Sequence, residues 1–139
     1  MKVIVPDASV LLKWVLPGPD EEDREPALRL RDAAMRGEVS LKVPSLWLYE
    51  VGNALSRRFP EQAGALLDVL VAFEIEEGDT HGLWRQHTTD LVRRYGVTFY
   101  DAAYHALALV EEGLFVTADA RYARRVVEIG GVQMLHDYR

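Results

Sequence analysis

The sequence contains no cysteine among its 139 residues. The chain therefore forms no disulfide and offers no thiolate to zinc or to an iron–sulfur cluster, which is compatible with a reducing cytoplasm. No apolar run approaches the roughly 20 residues that a membrane-spanning helix needs. Asp7 interrupts the first apolar stretch after only a few residues. We therefore expect no signal peptide, no membrane contact and a cytoplasmic location.

Basic residues are also in short supply. The chain has 16 lysines and arginines against 22 aspartates and glutamates, which gives a formal net charge of -6. A protein with this balance does not coat nucleic acid through a broad basic surface. An enzyme that meets a polyanion at one local site stays possible, because metal ions and nearby arginines offset the charge there.

Several catalytic signatures are missing as well. Neither a Walker A loop nor a G-x-G-x-x-G loop is present, and the histidines show no H-E-x-x-H spacing. Ser9 lacks the G-x-S-x-G elbow of an α/β-hydrolase nucleophile. Carboxylates therefore remain as the candidate catalytic groups.

Short apolar runs alternate with helical patterns along the chain. Strands are predicted at 2–6, 40–43, 114–117 and 132–135, and residues 73–77 form either a strand or a helix end. A short helix after Asp7 ends at Pro17-Gly18-Pro19. Longer helices are predicted at 21–36, 45–58, 60–72, 80–95, 98–113 and 120–129. This alternation predicts one domain over residues 1–139, an α/β three-layer sandwich with a central, mostly parallel sheet of about five short strands flanked by helices.

Four acidic residues stand where these elements begin or end, or on a helix face. Asp7 and Asp119 follow predicted strands, Asp101 lies in the first turn of a helix, and Glu50 lies within another. Each has a structural explanation, since helix N-termini favour aspartate. The alternative is that all four converge, because the carboxyl ends of parallel strands share one edge of a sheet. Grouped carboxylates repel one another unless a cation is bound, and Mg²⁺ and Mn²⁺ prefer oxygen ligands.

Four motifs resemble those of the PIN-domain family in order and spacing over the whole chain. They are Asp7-Ala8-Ser9, Glu50-Val51-Gly52-Asn53, Tyr100-Asp101-Ala102-Ala103-Tyr104 and Thr117-Ala118-Asp119. The most similar members are single-domain VapC-type toxins of toxin–antitoxin pairs. The resemblance implies a metal-dependent endoribonuclease, the toxin of a VapBC-type system, that hydrolyses RNA phosphodiesters with a metal-activated water.

The same resemblance assigns roles to particular residues. It places the four acids at the catalytic and metal-binding site, with Mg²⁺ or Mn²⁺ as the cofactor: Asp7, Glu50, Asp101 and Asp119. It gives supporting hydrogen bonds to three neighbours: Ser9, Asn53 and Thr117. It further implies an RNA substrate, a homodimer, and an antitoxin whose C-terminal segment lies near the acidic groove. Apolar candidates for the dimer contact are Trp47, Tyr49 and the helix at 66–71.

Arginines follow Asp119 on the predicted helix at 120–129. We assign candidate RNA-phosphate contacts to Arg121 and Arg124 alone. We interpret Arg125 as a solvated helix residue whose positive charge is favourable near the helix C-terminus. His105, one helical turn after Asp101, is either a packed or surface helical residue or a group that helps to position substrate.

Two other function classes stay open. A PIN-like module that binds RNA or protein without cleaving it would bind without turnover in several divalent ions. Another carboxylate-dependent phosphoryl enzyme is the third class. Haloacid-dehalogenase-like phosphatases need an acid two residues after the first aspartate, where this chain has Ser9. A receiver domain needs a pair of adjacent acids near the first strand, and Asp7 has no such neighbour.

Overall fold

A five-stranded sheet organises the protein. The computed structural model describes residues 1–16, 18 and 21–139, so Pro17 and Pro19 of the predicted helix break lie outside the described residues. The strands are β1 (Lys2–Pro6), β2 (Val39–Val43), β3 (Glu76–Glu77), β4 (Leu114–Thr117) and β5 (Val132–Met134). Their order is β3-β2-β1-β4-β5, and each neighbouring pair is parallel. The predicted mostly parallel sheet is confirmed.

Helices connect the strands and flank the sheet. They are α1 (Ala8–Leu12), α2 (Arg24–Met35), α3 (Trp47–Arg58), α4 (Ala63–Val71), α5 (Gly82–Tyr95), α6 (Phe99–Val110) and α7 (Ala120–Arg125), with a final 3₁₀ turn at Leu135–Asp137. Across the described ranges, no helix combines the length and the apolar character that a bilayer-spanning segment requires. The α/β class with helices around a parallel sheet is therefore confirmed.

Helix α6 occupies the centre of the core. All of residues 102–108 are buried, including the polar His105. A helix that is apolar on every side must be covered on every side, and α6 contacts strands β1, β2 and β4 as well as α5. Asp101 lies in its first turn, so the most enclosed helix of the fold brings one of the four acids to the end of the sheet.

Two glycines fix the ends of the helices beside this core. A Cβ on Gly113 would clash with the carbonyl oxygen of Val3, so only glycine lets the turn before β4 approach β1. Gly96 ends α5 in the left-handed conformation, with φ of 66°. These positions set where α6 enters and leaves the core.

Some predicted boundaries are wrong for local reasons. Helix α2 begins at Arg24 because Asp23 adopts a left-handed conformation, with φ of 58°. The strand within 73–77 is reduced to its last two residues, after a positive φ at Glu74. Helix α7 ends at Arg125 instead of continuing to residue 129. Beyond it, the Ile129 N–H donates to the Val126 carbonyl three residues earlier, as in a 3₁₀ turn.

The apolar candidates for a dimer contact divide into two groups. Trp47 is buried, and its indole N–H donates to Glu77 Oε2 at 3.0 Å, so it belongs to the monomer core rather than to a surface. Tyr49, Val69 and Val71 are exposed. These three side chains are the most exposed of the predicted dimer-contact candidates, and the homodimer itself stays a prediction.

Candidate active site

The four acids predicted from the sequence line one cavity of about 180 Å³. Asp7 follows β1, Asp119 stands just beyond β4, Asp101 lies in the first turn of α6, and Glu50 lies on α3. Three further residues complete the lining: Ala8, Ser9 and Tyr104. The expectation that the ends of neighbouring parallel strands would gather distant carboxylates is met by this geometry.

Asp7 is held by hydrogen bonds at both carboxylate oxygens. The Ser9 hydroxyl donates to Oδ1, the Thr117 hydroxyl donates to Oδ2, and the Val10 N–H donates to Oδ1 at 3.2 Å. The last bond makes Asp7 the N-cap of α1. Asp7 thus serves the helix and the cavity together, and its orientation is fixed by the folded chain.

Thr117 links Asp7 to Asp119. Its buried hydroxyl donates to Asp7 Oδ2 and accepts from the Asp119 N–H at 3.0 Å. Asp119 in turn caps α7, since its Oδ1 accepts from the N–H groups of Arg121 and Tyr122 at 3.0 and 3.1 Å. One side-chain hydroxyl therefore couples the two acids that follow neighbouring strands.

The other two acids come from helices α6 and α3. The Asp101 N–H donates to the Thr98 hydroxyl at 3.1 Å, which makes Thr98 the N-cap of α6. The Tyr104 hydroxyl, one turn later on α6, donates to Glu50 Oε1 at 2.5 Å. Tyr104 was absent from the predicted site, although it belongs to the same motif as Asp101. Its spacing of three residues from Asp101 was the available signal.

The remaining predicted residues are placed unevenly. Ser9 lines the cavity and Thr117 bonds to its acids, whereas Asn53 is exposed and is not among the lining residues. Arg121 lines an adjoining cavity of about 250 Å³ that shares Asp101 and Asp119 with the first. Arg124 lines neither cavity, and its neighbour Arg125 lines the second.

The family of the chain follows from its sequence and from the site together. A family model for the PIN domain matches residues 4–128, a span that contains all four acids. The chain belongs to the PIN domain family. No curated protein sequence matches it.

Solved structures share the fold of this PIN domain. VapBC2 from Rickettsia felis, bound to a DNA fragment from its promoter, aligns with a TM-score of 0.69 and 16% identity over 95% of this chain and 98% of that chain. DNA-bound VapBC from Salmonella typhimurium aligns with a TM-score of 0.65 and 18% identity over 97% and 99%. A toxin–antitoxin complex from Klebsiella pneumoniae aligns with a TM-score of 0.63 and 14% identity over 95% and 97%. At these identities the likeness shows the fold.

Charge is concentrated in the cavity of this PIN domain. Burial raises the pKa of Asp7, against the opposing effect of its hydrogen bonds, and the nearby Asp101 charge raises it further. Burial also raises the pKa of Glu50, with further contributions from Asp101 and Asp7. Burial and then the Asp119 charge raise the pKa of Asp101. The metal-free cavity therefore opposes full ionisation of its own carboxylates.

The chemistry of these side chains fits a hard divalent cation. Carboxylate and hydroxyl oxygens face one cavity, and added positive charge would relieve the repulsion that raises the three pKa values. In the part of the chain that the structure describes, no three acidic or histidine side chains lie close enough together to hold a metal ion. Mg²⁺ needs fewer, since it typically uses one or two carboxylates and keeps several waters.

The raised pKa values predict a pH-dependent instability of the metal-free PIN domain. A carboxyl group whose pKa is higher in the folded state keeps its proton where the unfolded chain has lost it, so the free energy of unfolding falls as pH rises through that interval. The interval starts near the ordinary carboxyl pKa of about 4, and each pKa unit is worth about 1.4 kcal/mol. In EDTA, a Glu50→Gln, Asp101→Asn variant should gain stability relative to the wild type as pH rises above that value.

Urea unfolding of both proteins at a series of pH values measures this difference. Added Mn²⁺ should reduce it at neutral pH by stabilising the wild type alone. A difference that stays constant with pH would contradict the assignment of raised pKa values to Glu50 and Asp101.

Proposed function

We propose that this PIN domain is a Mg²⁺- or Mn²⁺-dependent endoribonuclease and the toxin of a VapBC-type pair. The observation that supports it most is the convergence of four acids, from four separate segments of the chain, on one cavity. Membership of the PIN family points to the same chemistry.

In this proposal the side chains have distinct tasks. Asp7, Asp101 and Asp119 would hold the cation, one or two of them directly and the rest through its bound waters, and Glu50 would contact it directly or through water. When bound, the ion would supply an acidified water and stabilise charge that develops on the phosphoryl oxygens. Hydrolysis adds the water oxygen to phosphorus and breaks the bond from phosphorus to O3′, so the products carry a 5′-phosphate and a 3′-hydroxyl.

Three hydroxyl groups would support these acids. Ser9 and Thr117 donate to the two oxygens of Asp7, which leaves its remaining lone pairs directed by the fold. Tyr104 donates to one oxygen of Glu50, so the other oxygen is the natural one to meet a cation or its water. Burial holds the pKa of Tyr104 far above its ordinary value, so this hydroxyl remains a donor throughout the working pH range.

The toxin role draws its support from the solved relatives. They include VapBC assemblies and a toxin–antitoxin complex, and the chain aligns with nearly their whole length. By this analogy the partner is an antitoxin whose C-terminal segment lies near the acidic groove, and the toxin is a homodimer that works in the cytoplasm. Expression of the wild-type chain in bacteria should arrest growth, and expression of the Asp101→Asn variant should not.

One observation favours a second candidate, a PIN-like module that binds RNA or protein without cleaving it. Among the described residues no three acids are grouped tightly enough to hold an ion as they stand. If the carboxylates do not close on a cation, RNA would be bound and left intact.

Cleavage of a broad RNA panel tests these two candidates against each other. Purified protein with Mg²⁺ or Mn²⁺ should cut RNA, excess EDTA should stop it, and restored Mn²⁺ should recover it. Binding without turnover in all of several divalent ions would overturn the nuclease in favour of the binding module. Hydrolysis of small phosphomonoesters without RNA cleavage would indicate a different phosphoryl enzyme.

A further inference from the structure

A second cavity adjoins the acidic one and differs from it in charge. We call it the arginine groove, lined among others by Gly96, Thr98, Asp101, Asp119, Arg121 and Arg125. Asp101 and Asp119 line both cavities, so they form the boundary between them. On one side of this boundary stand the remaining acids, and on the other side stand two guanidinium groups.

Arg125 is fixed within the groove by the backbone. Its Nη1 donates to the Gly96 carbonyl oxygen at 2.9 Å. Gly96 presents that carbonyl from the left-handed turn that ends α5, immediately before the segment leading to Thr98 and Asp101. A guanidinium has five N–H donors, so this bond orients Arg125 while leaving it other donors for an anion.

Arg121 faces the same groove from one helical turn earlier. Residues four apart lie on the same side of a helix, and Arg121 and Arg125 both line the groove, whereas Arg124 does not. Two arginines on one face match the bidentate geometry by which guanidinium groups recognise phosphate. The shared carboxylates would repel an anion placed too near the boundary, so a phosphate would bind on the side of the arginines.

We infer, on the basis of the nuclease function proposed above, that the arginine groove binds a backbone phosphate of the RNA strand next to the one that is cleaved. The strand then passes from Arg121 and Arg125 over Asp101 and Asp119 into the acidic cavity. Arg125 takes the phosphate role that the sequence assigned to Arg124, and it positions substrate without touching the reacting atoms.

Neighbouring arginines on α7 provide a matched test. Arg125→Gln and Arg124→Gln remove the same charge from adjacent exposed positions. Binding is measured with a labelled random-sequence single-stranded RNA in Mg²⁺, on a Glu50→Gln background that suppresses cleavage and leaves the groove intact. Arg125→Gln should weaken binding about tenfold and reduce the dependence of log K on log salt by about one unit. Arg124→Gln should change affinity less than about twofold.

Arg121→Gln guards against a structural explanation. It removes charge from the same groove while leaving the bond between Arg125 and Gly96 in place, so it should weaken RNA binding without altering thermal unfolding. Replacing single phosphates of an oligouridylate by neutral methylphosphonate gives a second readout. A methylphosphonate at one position of the oligouridylate should weaken its binding to the Arg124→Gln protein and leave its binding to the Arg125→Gln protein unchanged.

The results separate the arginine groove from the nuclease function. Equal RNA affinities for the Arg124 and Arg125 variants, or no measurable RNA binding by any of the proteins, would overturn the groove assignment. RNA cleavage by the wild type is scored independently. Arginine-dependent binding with no cleavage would support the phosphate site and contradict the nuclease function. Cleavage by the wild type, with equal RNA affinities for the Arg124 and Arg125 variants, would support the nuclease function and contradict the phosphate site.

Discussion

Replacing Asp101 with asparagine should lower the rate of RNA cleavage by about a hundredfold to a thousandfold. Asparagine keeps the size of the side chain and removes the charge, so the effect reports on electrostatics rather than packing. Asp101 is the acid that connects the cluster, because its charge raises the pKa of both Asp7 and Glu50 and it also borders the arginine groove. The measurement is initial cleavage rate in saturating Mn²⁺, with Mn²⁺ affinity determined separately by calorimetry.

Asp68→Asn is the matched control for this experiment. Asp68 is exposed on α4 and lines neither cavity. It should therefore retain the wild-type rate. Loss of cleavage in both variants would point to general charge or solubility, and full activity of Asp101→Asn would remove Asp101 from the proposed catalytic set.

Truncation of Phe115 to alanine should reduce the free energy of unfolding by about 3–5 kcal/mol. Phe115 on β4 is 2% exposed, and its ring packs against three aromatic side chains at centroid distances of 5.6–6.2 Å: Tyr104, His105 and Tyr122. A cavity here removes contacts from all three, and a loss of this size is a large part of the stability of a small domain. Urea unfolding at neutral pH gives the value.

Val127→Ala is the comparison for that measurement. Val127 is 75% exposed, so its truncation should change the free energy of unfolding by less than about 0.5 kcal/mol. The milder Phe115→Leu should remain folded and show whether the ring also matters for function, since Tyr104 carries the bond to Glu50. If Phe115→Ala lowered the free energy of unfolding by no more than the exposed control does, Phe115 would not be central to the core.

The sequence was most informative where one physical rule acts locally. Strands β1 and β4 were predicted to the residue, because short apolar runs bounded by polar residues have few other solutions. Topology permitted the acids to converge, since parallel strands end at one edge, and the resemblance to the PIN-domain family implied one shared site. Helix ends shifted where a single backbone angle decides the boundary, as at Asp23, whose left-handed conformation leaves no distinctive residue type to detect.

Residues that act through contacts between distant segments were harder to find. Tyr104 and Glu50 are separated by 54 positions, so their bond depends on how α6 and α3 pack. Arg125 is oriented by the carbonyl of Gly96, 29 positions away. Both ring nitrogens of His105 are hydrogen-bonded within the fold: Nδ1 to the Tyr122 hydroxyl at 2.9 Å and Nε2 to the Gly130 carbonyl at 2.8 Å. Its packed role, one of the two alternatives, is thereby confirmed.

The distance in sequence between Asp7 and Thr117 has a consequence for the living cell. These residues are 110 positions apart and their hydrogen bond joins β1 to β4, neighbours in the sheet. During translation Asp7 leaves the ribosome early, whereas Thr117 emerges only when nearly the whole chain has been synthesised. An incomplete nascent chain thus has no assembled acidic cavity, so under the proposed nuclease function RNA cleavage begins only after synthesis is almost finished.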